Sequence, residues 1–136
     1  KSSSTLRNIL AKAYSTARNG LPDNEDMGCH SAFYICGMIG LYPMMGQDWY
    51  FLTAPAFART EVSLGEGRQK LIIEAPNAST THIYIAAATL NGKALNRAWI
   101  QHQEISNGAH IIFELVTAPT NWGQDIPPPS PLARSE

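Results

Sequence analysis

The chain has 136 residues, 44% of them hydrophobic and 15% charged, which describes one folded, rather apolar domain and excludes a disordered chain. Its formal net charge of -1 leaves no electrostatic footprint for nucleic acid or an anionic membrane surface. No apolar run approaches the ~20 residues of a membrane-spanning helix, since Phe33–Tyr42 is only half that. No stretch reads as a signal peptide and Lys1 is not an initiator methionine, so the chain is expected to be a processed piece or a fragment. Cys29 and Cys36 are too few for a disulfide framework. On one helix they would lie roughly 10 Å apart along the axis, beyond the ~7 Å limit for a bridge, and they are read as reduced packing residues.

Lys1–Ser4 is a polar lead-in, with Ser3 or Ser4 placed to cap a helix. Leu6, Ile9, Leu10, Ala13, Tyr14 and Ala17 follow the i, i+3, i+4, i+7 spacing of an amphipathic helix, which Asn19-Gly20 is expected to stop in a left-handed conformation. A second helix is predicted over Ser31–Leu41. Phe33, Tyr34, Ile35, Met38, Ile39 and Leu41 cover most of its circumference, which calls for burial on nearly every side. Gly37 and Gly40 weaken a helix unless a neighbour packs closely there. One other helix can hardly surround this segment, so the sequence asks for more protein than it contains, and by itself should associate or dissolve poorly.

After Pro43, Met44–Phe57 reads as an irregular crossing rich in aromatics. Strands are predicted over Thr60–Leu64, Gln69–Ala75, His82–Leu90, Ala94–Ile100 and His110–Val116. Leu71, Ile73 and Ala75 share one face, as do Ile111, Phe113 and Leu115. Asn91-Gly92 should turn one strand tightly into the next. The fold class is therefore α+β: two helices followed by an antiparallel sheet or small sandwich. The chain divides into residues 1–43 with the acidic loop 20–30, a β-rich segment 44–117, and a Pro-rich tail 118–136 that reads as extended or mobile.

Chemistry is most concentrated at Asp23-Asn24-Glu25-Asp26, between Pro22 and the second helix. Carboxylates at a helix start cap unpaired N–H groups and match the macrodipole. A catalytic or metal role is the alternative. A turn would let Asn24 and Asp26 point into one cavity while Glu25 faces elsewhere, and oxygen ligands of this kind suit calcium, although the twelve-residue spacing of a calcium loop is missing. His82, His102 and His110 are spread without ligand spacing and read as structural or surface residues, and Trp49 and Trp99 as buried packing residues. Asn77-Ala78-Ser79 is a formal glycosylation sequon.

Several motifs carry a family resemblance: GLPDNEDMGCHSAFY at Gly20–Tyr34, GLYP at Gly40–Pro43, APAF at Ala54–Phe57, TLNGKALN at Thr89–Asn96, and WIQH at Trp99–His102. From Leu6 to about Gly123 the chain resembles the C-terminal end of glycoside hydrolase family 92, whose members are calcium-dependent, inverting, exo-acting α-mannosidases, mainly α-1,2. The resemblance implies that the helices are the last of an (α/α)6 barrel followed by a closing β-rich segment. It implies a mannosyl oligosaccharide or N-glycan as substrate, the rest of the mannosidase chain as partner, and a secreted or periplasmic location. Asp26 matches the general-base aspartate and is also placed to reach calcium. Asn24 falls on a second acidic position of the loop, and Glu25 lies between them. Cys29-His30 replaces the common Gln-Met, Phe33 replaces a Trp, and His30 is a candidate substrate contact. The general acid and most calcium ligands would lie outside this chain, so the chain alone should not hydrolyse a mannoside. Two rival readings are a non-catalytic β-rich carbohydrate-binding or interaction module and a degenerate homologue inactivated at Asn24.

Overall fold

A computed structural model describes residues 2–129, which form two helices followed by eight strands in two sheets, an α+β arrangement. Helix α1 spans Ser2–Ala13 and ends four residues short of Ala17, the last apolar position of the predicted series. The hydroxyl-bearing stretch after it closes on itself instead. Ser15 N–H donates to Gly20 O (2.9 Å), Gly20 N–H donates to Ala17 O (2.9 Å), and Ser15 Oγ accepts from Ala17 N–H (3.4 Å). Gly20 does not take the expected left-handed conformation. It is needed for space, because a Cβ there would sit 2.0 Å from Ser15 O. Ser3 and Ser4 lie inside the helix rather than capping it, and Ser3 Oγ accepts from Ala54 N–H (3.2 Å).

Helix α2 spans Cys29–Ile39, two residues earlier at each end than predicted, because Gly40 leaves the helix in a left-handed conformation (φ 83°) and Leu41 enters a strand. The two glycines stand where neighbours press in, as their cost in a helix implied. A Cβ on Gly37 would lie 2.9 Å from Leu10 Cδ1, and one on Gly40 2.6 Å from Thr53 O. The expected burial on nearly every side does not occur among the described residues. Among the described residues only Gly37 of α2 is buried and Ile35 is 57% exposed; α1 and the first strand pack against the helix but do not enclose it. Cys29 and Cys36 are both free thiols, and burial pushes that of Cys36 above its ordinary pKa.

The smaller sheet is antiparallel in the order β1 (Leu41–Pro43), β2 (Trp49–Leu52), β7 (Trp99–Gln101). Its central strand lies in the segment expected to be irregular, where four residues are too few for alternation to show. The larger sheet runs β3 (Arg59–Leu64), β4 (Gln69–Glu74), β8 (Ala109–Val116), β5 (Tyr84–Leu90), β6 (Lys93–Ala94). It is mixed rather than wholly antiparallel: β8 inserts between β4 and β5 and pairs in parallel with β4, Leu71 opposite Ala109. Gly108 (φ 87°) permits that entry, since a Cβ would lie 3.0 Å from Lys70 O.

Asn91 (φ 50°) and Gly92 (φ 78°) make the predicted tight turn, but the return strand expected over Ala94–Ile100 breaks after Ala94. Leu95 turns into the core, its N–H donating to Ala88 O (2.9 Å), and the chain crosses to the smaller sheet, where Trp99 pairs with Phe51. Leu71, Ile73, Ala75, Ile111, Phe113 and Leu115 are buried on the faces read from the sequence. Leu41, Leu52 and Ile100 of the smaller sheet join them in one core. Each large apolar side chain buried there contributes about 1.5–3 kcal/mol.

The described part of the Pro-rich tail turns at residues 121–124, where Gln124 N–H donates to Asn121 O (3.3 Å), and is anchored to the sheets. Trp122 Nε1–H donates to Leu95 O (2.8 Å), Thr120 Oγ1–H to Ile85 O, and Trp99 Nε1–H to Ile126 O (3.1 Å). Lys1 and residues 130–136, including Pro131, lie outside the described residues.

Candidate functional site

The acidic loop enters α2 through a 3-10 turn, Asp26–Gly28. Pro22 sets the entry, and two backbone contacts tighten it: Asn24 N–H donates to Asp23 Oδ1 (2.8 Å), and Asp26 N–H to Asn24 O (3.0 Å). Met27 then takes a left-handed conformation (φ 56°, ψ 27°). For a residue with a Cβ this costs roughly 1–2 kcal/mol. Gly28 (φ 80°) completes the reversal into α2.

The loop divides its carboxylates between two jobs. Glu25 Oε1 accepts the backbone N–H of Ser31 (3.1 Å), satisfying one of the open donors of the first turn of α2. Glu25 is thus the capping carboxylate. The side chains of Asp26 and Asn24 are exposed and accept or donate no hydrogen bond among the described residues. A cleft of about 310 Å³ beside the loop is lined by Tyr14, Leu21, Ser31, Tyr34 and Ile35, but by neither Asn24 nor Asp26.

His30, the second residue of α2, is half-buried, and its Nδ1 is 3.1 Å from the hydroxyl of Tyr14. Tyr14 comes from just past the end of α1 and sits among rings, 6.1 Å from Phe33 in a stacked arrangement and 5.3 Å from Tyr34. Burial first, then the negative charge of Glu25, holds the Tyr14 phenol above its usual pKa, so it stays protonated. Sequence reasoning assigned Tyr14 only to the apolar face of a helix. No spacing rule links positions sixteen apart, and the contact exists because the chain reverses between α1 and α2.

The remaining histidines have structural partners: His82 Nδ1 with Ser79 Oγ (3.0 Å), His102 Nδ1 with Tyr50 Oη (2.8 Å), and His110 Nε2 with Glu74 Oε2 (2.9 Å). Glu74 also pairs with Arg59, which bridges to Glu61, and Lys70 Nζ reaches Glu61 at 2.9 Å. The hydrogen bond from His110 leads in holding Glu74 below the usual carboxylate range. For Glu61, Lys70 leads and Arg59 follows, lowering it to about 2. Trp49 is buried, and the Arg97 guanidinium lies over the ring of the half-buried Trp99 at 4.6 Å. Asn77 Nδ2, the acceptor nitrogen of the sequon, donates instead to Leu115 O (2.5 Å). Among the described residues no three His, Cys, Asp or Glu side chains converge to hold a metal ion.

The sequence profile of the "Glycosyl hydrolase family 92 catalytic domain" matches residues 1–117. An uncharacterized secreted glycosidase of Arthroderma benhamiae is 30% identical over 124 residues, covering 88% of this chain and 16% of the relative. The family GH92 inverting mannosidase of Bacteroides thetaiotaomicron VPI-5482 superposes with a TM-score of 0.77 at 29% identity, covering 86% of this chain and 16% of that one. A family GH92 α-mannosidase of Bacteroides thetaiotaomicron, solved with mannoimidazole, gives a TM-score of 0.85 at 24% identity over 93% of this chain and 17% of that one, a likeness of fold. The chain spans about a sixth of the length of the relatives it matches.

Proposed function

This chain belongs to glycosyl hydrolase family 92, and we propose that it forms the C-terminal part of an exo-acting α-mannosidase, to which it supplies the general base. The observation that carries the reading is the division of labour in the acidic loop: Glu25 is engaged by Ser31 N–H, whereas the neighbouring Asp26 carboxylate is exposed and has no hydrogen bond among the described residues. Asp26 takes a proton from a water that attacks the anomeric carbon from the face opposite the leaving group, which inverts the configuration. The acid that protonates the leaving oxygen is supplied from outside this chain, and the two carboxyl groups are expected to stand ~6.5–9.5 Å apart to admit the water. The Asn24 carboxamide is not basic enough to accept the proton and can only hydrogen-bond.

Calcium belongs to this proposal with Asp26 as at most one carboxylate ligand, the others coming from elsewhere in the protein. The substrate is a terminal mannose, mainly α-1,2-linked, on a mannosyl oligosaccharide or N-glycan, and the enzyme is secreted or periplasmic. The test is mannose release from an α-1,2-mannobioside by the whole enzyme. Asp26→Asn should lower kcat by about 10²–10⁴-fold, and proton NMR of the first product should show β-mannose. An Asp26→Asn enzyme within a few-fold of wild type, or α-mannose appearing first, would overturn the assignment.

A further inference from the structure

We infer that Tyr14 is a positioning residue that holds His30 with its proton on Nε2, a permanent donor to a hydroxyl oxygen of the sugar substrate. This rests on the mannosidase reading above and adds a residue pair to it.

The argument starts from the 3.1 Å contact between Tyr14 Oη and His30 Nδ1. A phenol is far more acidic than a neutral imidazole N–H, and the basic ring nitrogen is the better acceptor, so in the neutral pair Tyr14 donates and Nδ1 accepts. The imidazole proton then resides on Nε2. If His30 is protonated, Nδ1–H donates to the phenol oxygen and Nε2 still carries its proton. Both states present the same donor, and only the neutral Nδ1–H tautomer, which Tyr14 disfavours, would present an acceptor.

Three features make this more than a packing contact. Nε2 of His30 has no hydrogen-bond partner among the described residues, unlike Nε2 of His110, which Glu74 engages. Tyr14 is itself wedged among Phe33, Tyr34 and His30, so its hydroxyl has little freedom to swing away. His30 also directly precedes Ser31, whose N–H ties Glu25, so the ring and the acidic loop are held by consecutive residues of one helical turn. A fixed donor beside the loop recognises an acceptor such as a mannose hydroxyl.

The experiment is a double-mutant cycle in the whole enzyme with an α-1,2-mannobioside, using Tyr14→Phe, His30→Ala and the combination. A hydrogen bond made equally in ground and transition states changes KM with little change in kcat. Tyr14→Phe is expected to raise KM by about three- to tenfold, the loss associated with one hydrogen bond. His30→Ala should raise it at least as much, and the double variant no further than His30→Ala alone. His30→Gln, whose amide places an N–H near the Nε2 position, should restore much of the lost KM and make Tyr14→Phe nearly silent. An active enzyme in which Tyr14→Phe lowers only the melting temperature, or in which the two KM effects multiply, overturns this inference alone. A wild-type enzyme that releases no mannose overturns the mannosidase reading and this inference with it.

Discussion

Replacing Gly40 by Ala tests how α2, and with it the acidic loop, is anchored to the sheets. Two contacts bracket the end of the helix: Thr53 N–H donates to Gly40 O (3.0 Å) and Ala56 N–H to Met38 O (2.8 Å). Gly40 is left-handed at φ 83°, and an added Cβ would meet Thr53 O at 2.6 Å, Pro55 Cγ at 3.0 Å and Pro55 N at 3.1 Å. Two of those atoms are backbone and the third belongs to a proline ring, so none can swing aside. The left-handed conformation costs a non-glycine residue about 1–2 kcal/mol, and the overpacking about 1–3 kcal/mol more, giving roughly 2–5 kcal/mol in all. Gly46 supplies the control, since it is also left-handed (φ 71°) but a Cβ there meets nothing within 4 Å. Gly46→Ala should therefore lose only the backbone share, about 1–2 kcal/mol. Urea denaturation of the intact protein, read by fluorescence, compares the two variants at equal slope. Equal losses at the two sites would refute the claim that the contact with Thr53 and Pro55, rather than backbone strain alone, makes glycine necessary at position 40.

Glu25→Ala should weaken the first turn of α2 by about 0.5–2 kcal/mol, as loss of a cap does, while leaving kcat for mannose release within a few-fold. A collapse of kcat to the level of Asp26→Asn would transfer the base role to Glu25. Glu61, lowered to about 2 from an ordinary 4.5 by Lys70 and Arg59, binds its proton more weakly in the folded state. Its contribution is thus fully present above about pH 4.5 and is lost as pH falls toward about 2. Because these groups are exposed the effect is modest and salt-screened. Melting temperature measured across that window should fall less steeply in Glu61→Gln than in wild type, and parallel curves would show that the Arg59–Glu61–Lys70 contacts do not persist in solution.

Local regularities could be read along the chain because their physical causes are local. The alternation of Leu71, Ile73 and Ala75, and of Ile111, Phe113 and Leu115, follows from the two-residue period of a strand with one dry face, and those residues are buried as read. Asn91-Gly92 adopts positive φ at both positions because few other pairs do so cheaply. The acidic loop was recognisable by composition and motif, and its place at the start of a helix by the apolar run that follows.

Pairing between distant segments left no such mark. Nothing in the residues of β4 and β8 declares that they run parallel, and nothing in Ala94–Ile100 declares that one piece belongs to each sheet. Those outcomes depend on which buried faces fit together once Leu95 and Ile100 enter the same core. The end of α1 was misplaced for a related reason: apolar spacing favoured extension to Ala17, but hydrogen bonds closing residues 15–20 on themselves prevailed. The same holds at the site. Sequence determined that carboxylates would gather before α2. Only the folded chain decided that Glu25 caps, that the Asp26 side chain has no hydrogen bond among the described residues, and that Tyr14 reaches His30 from just past the end of α1, because each depends on where the chain turns back in space rather than on spacing along it.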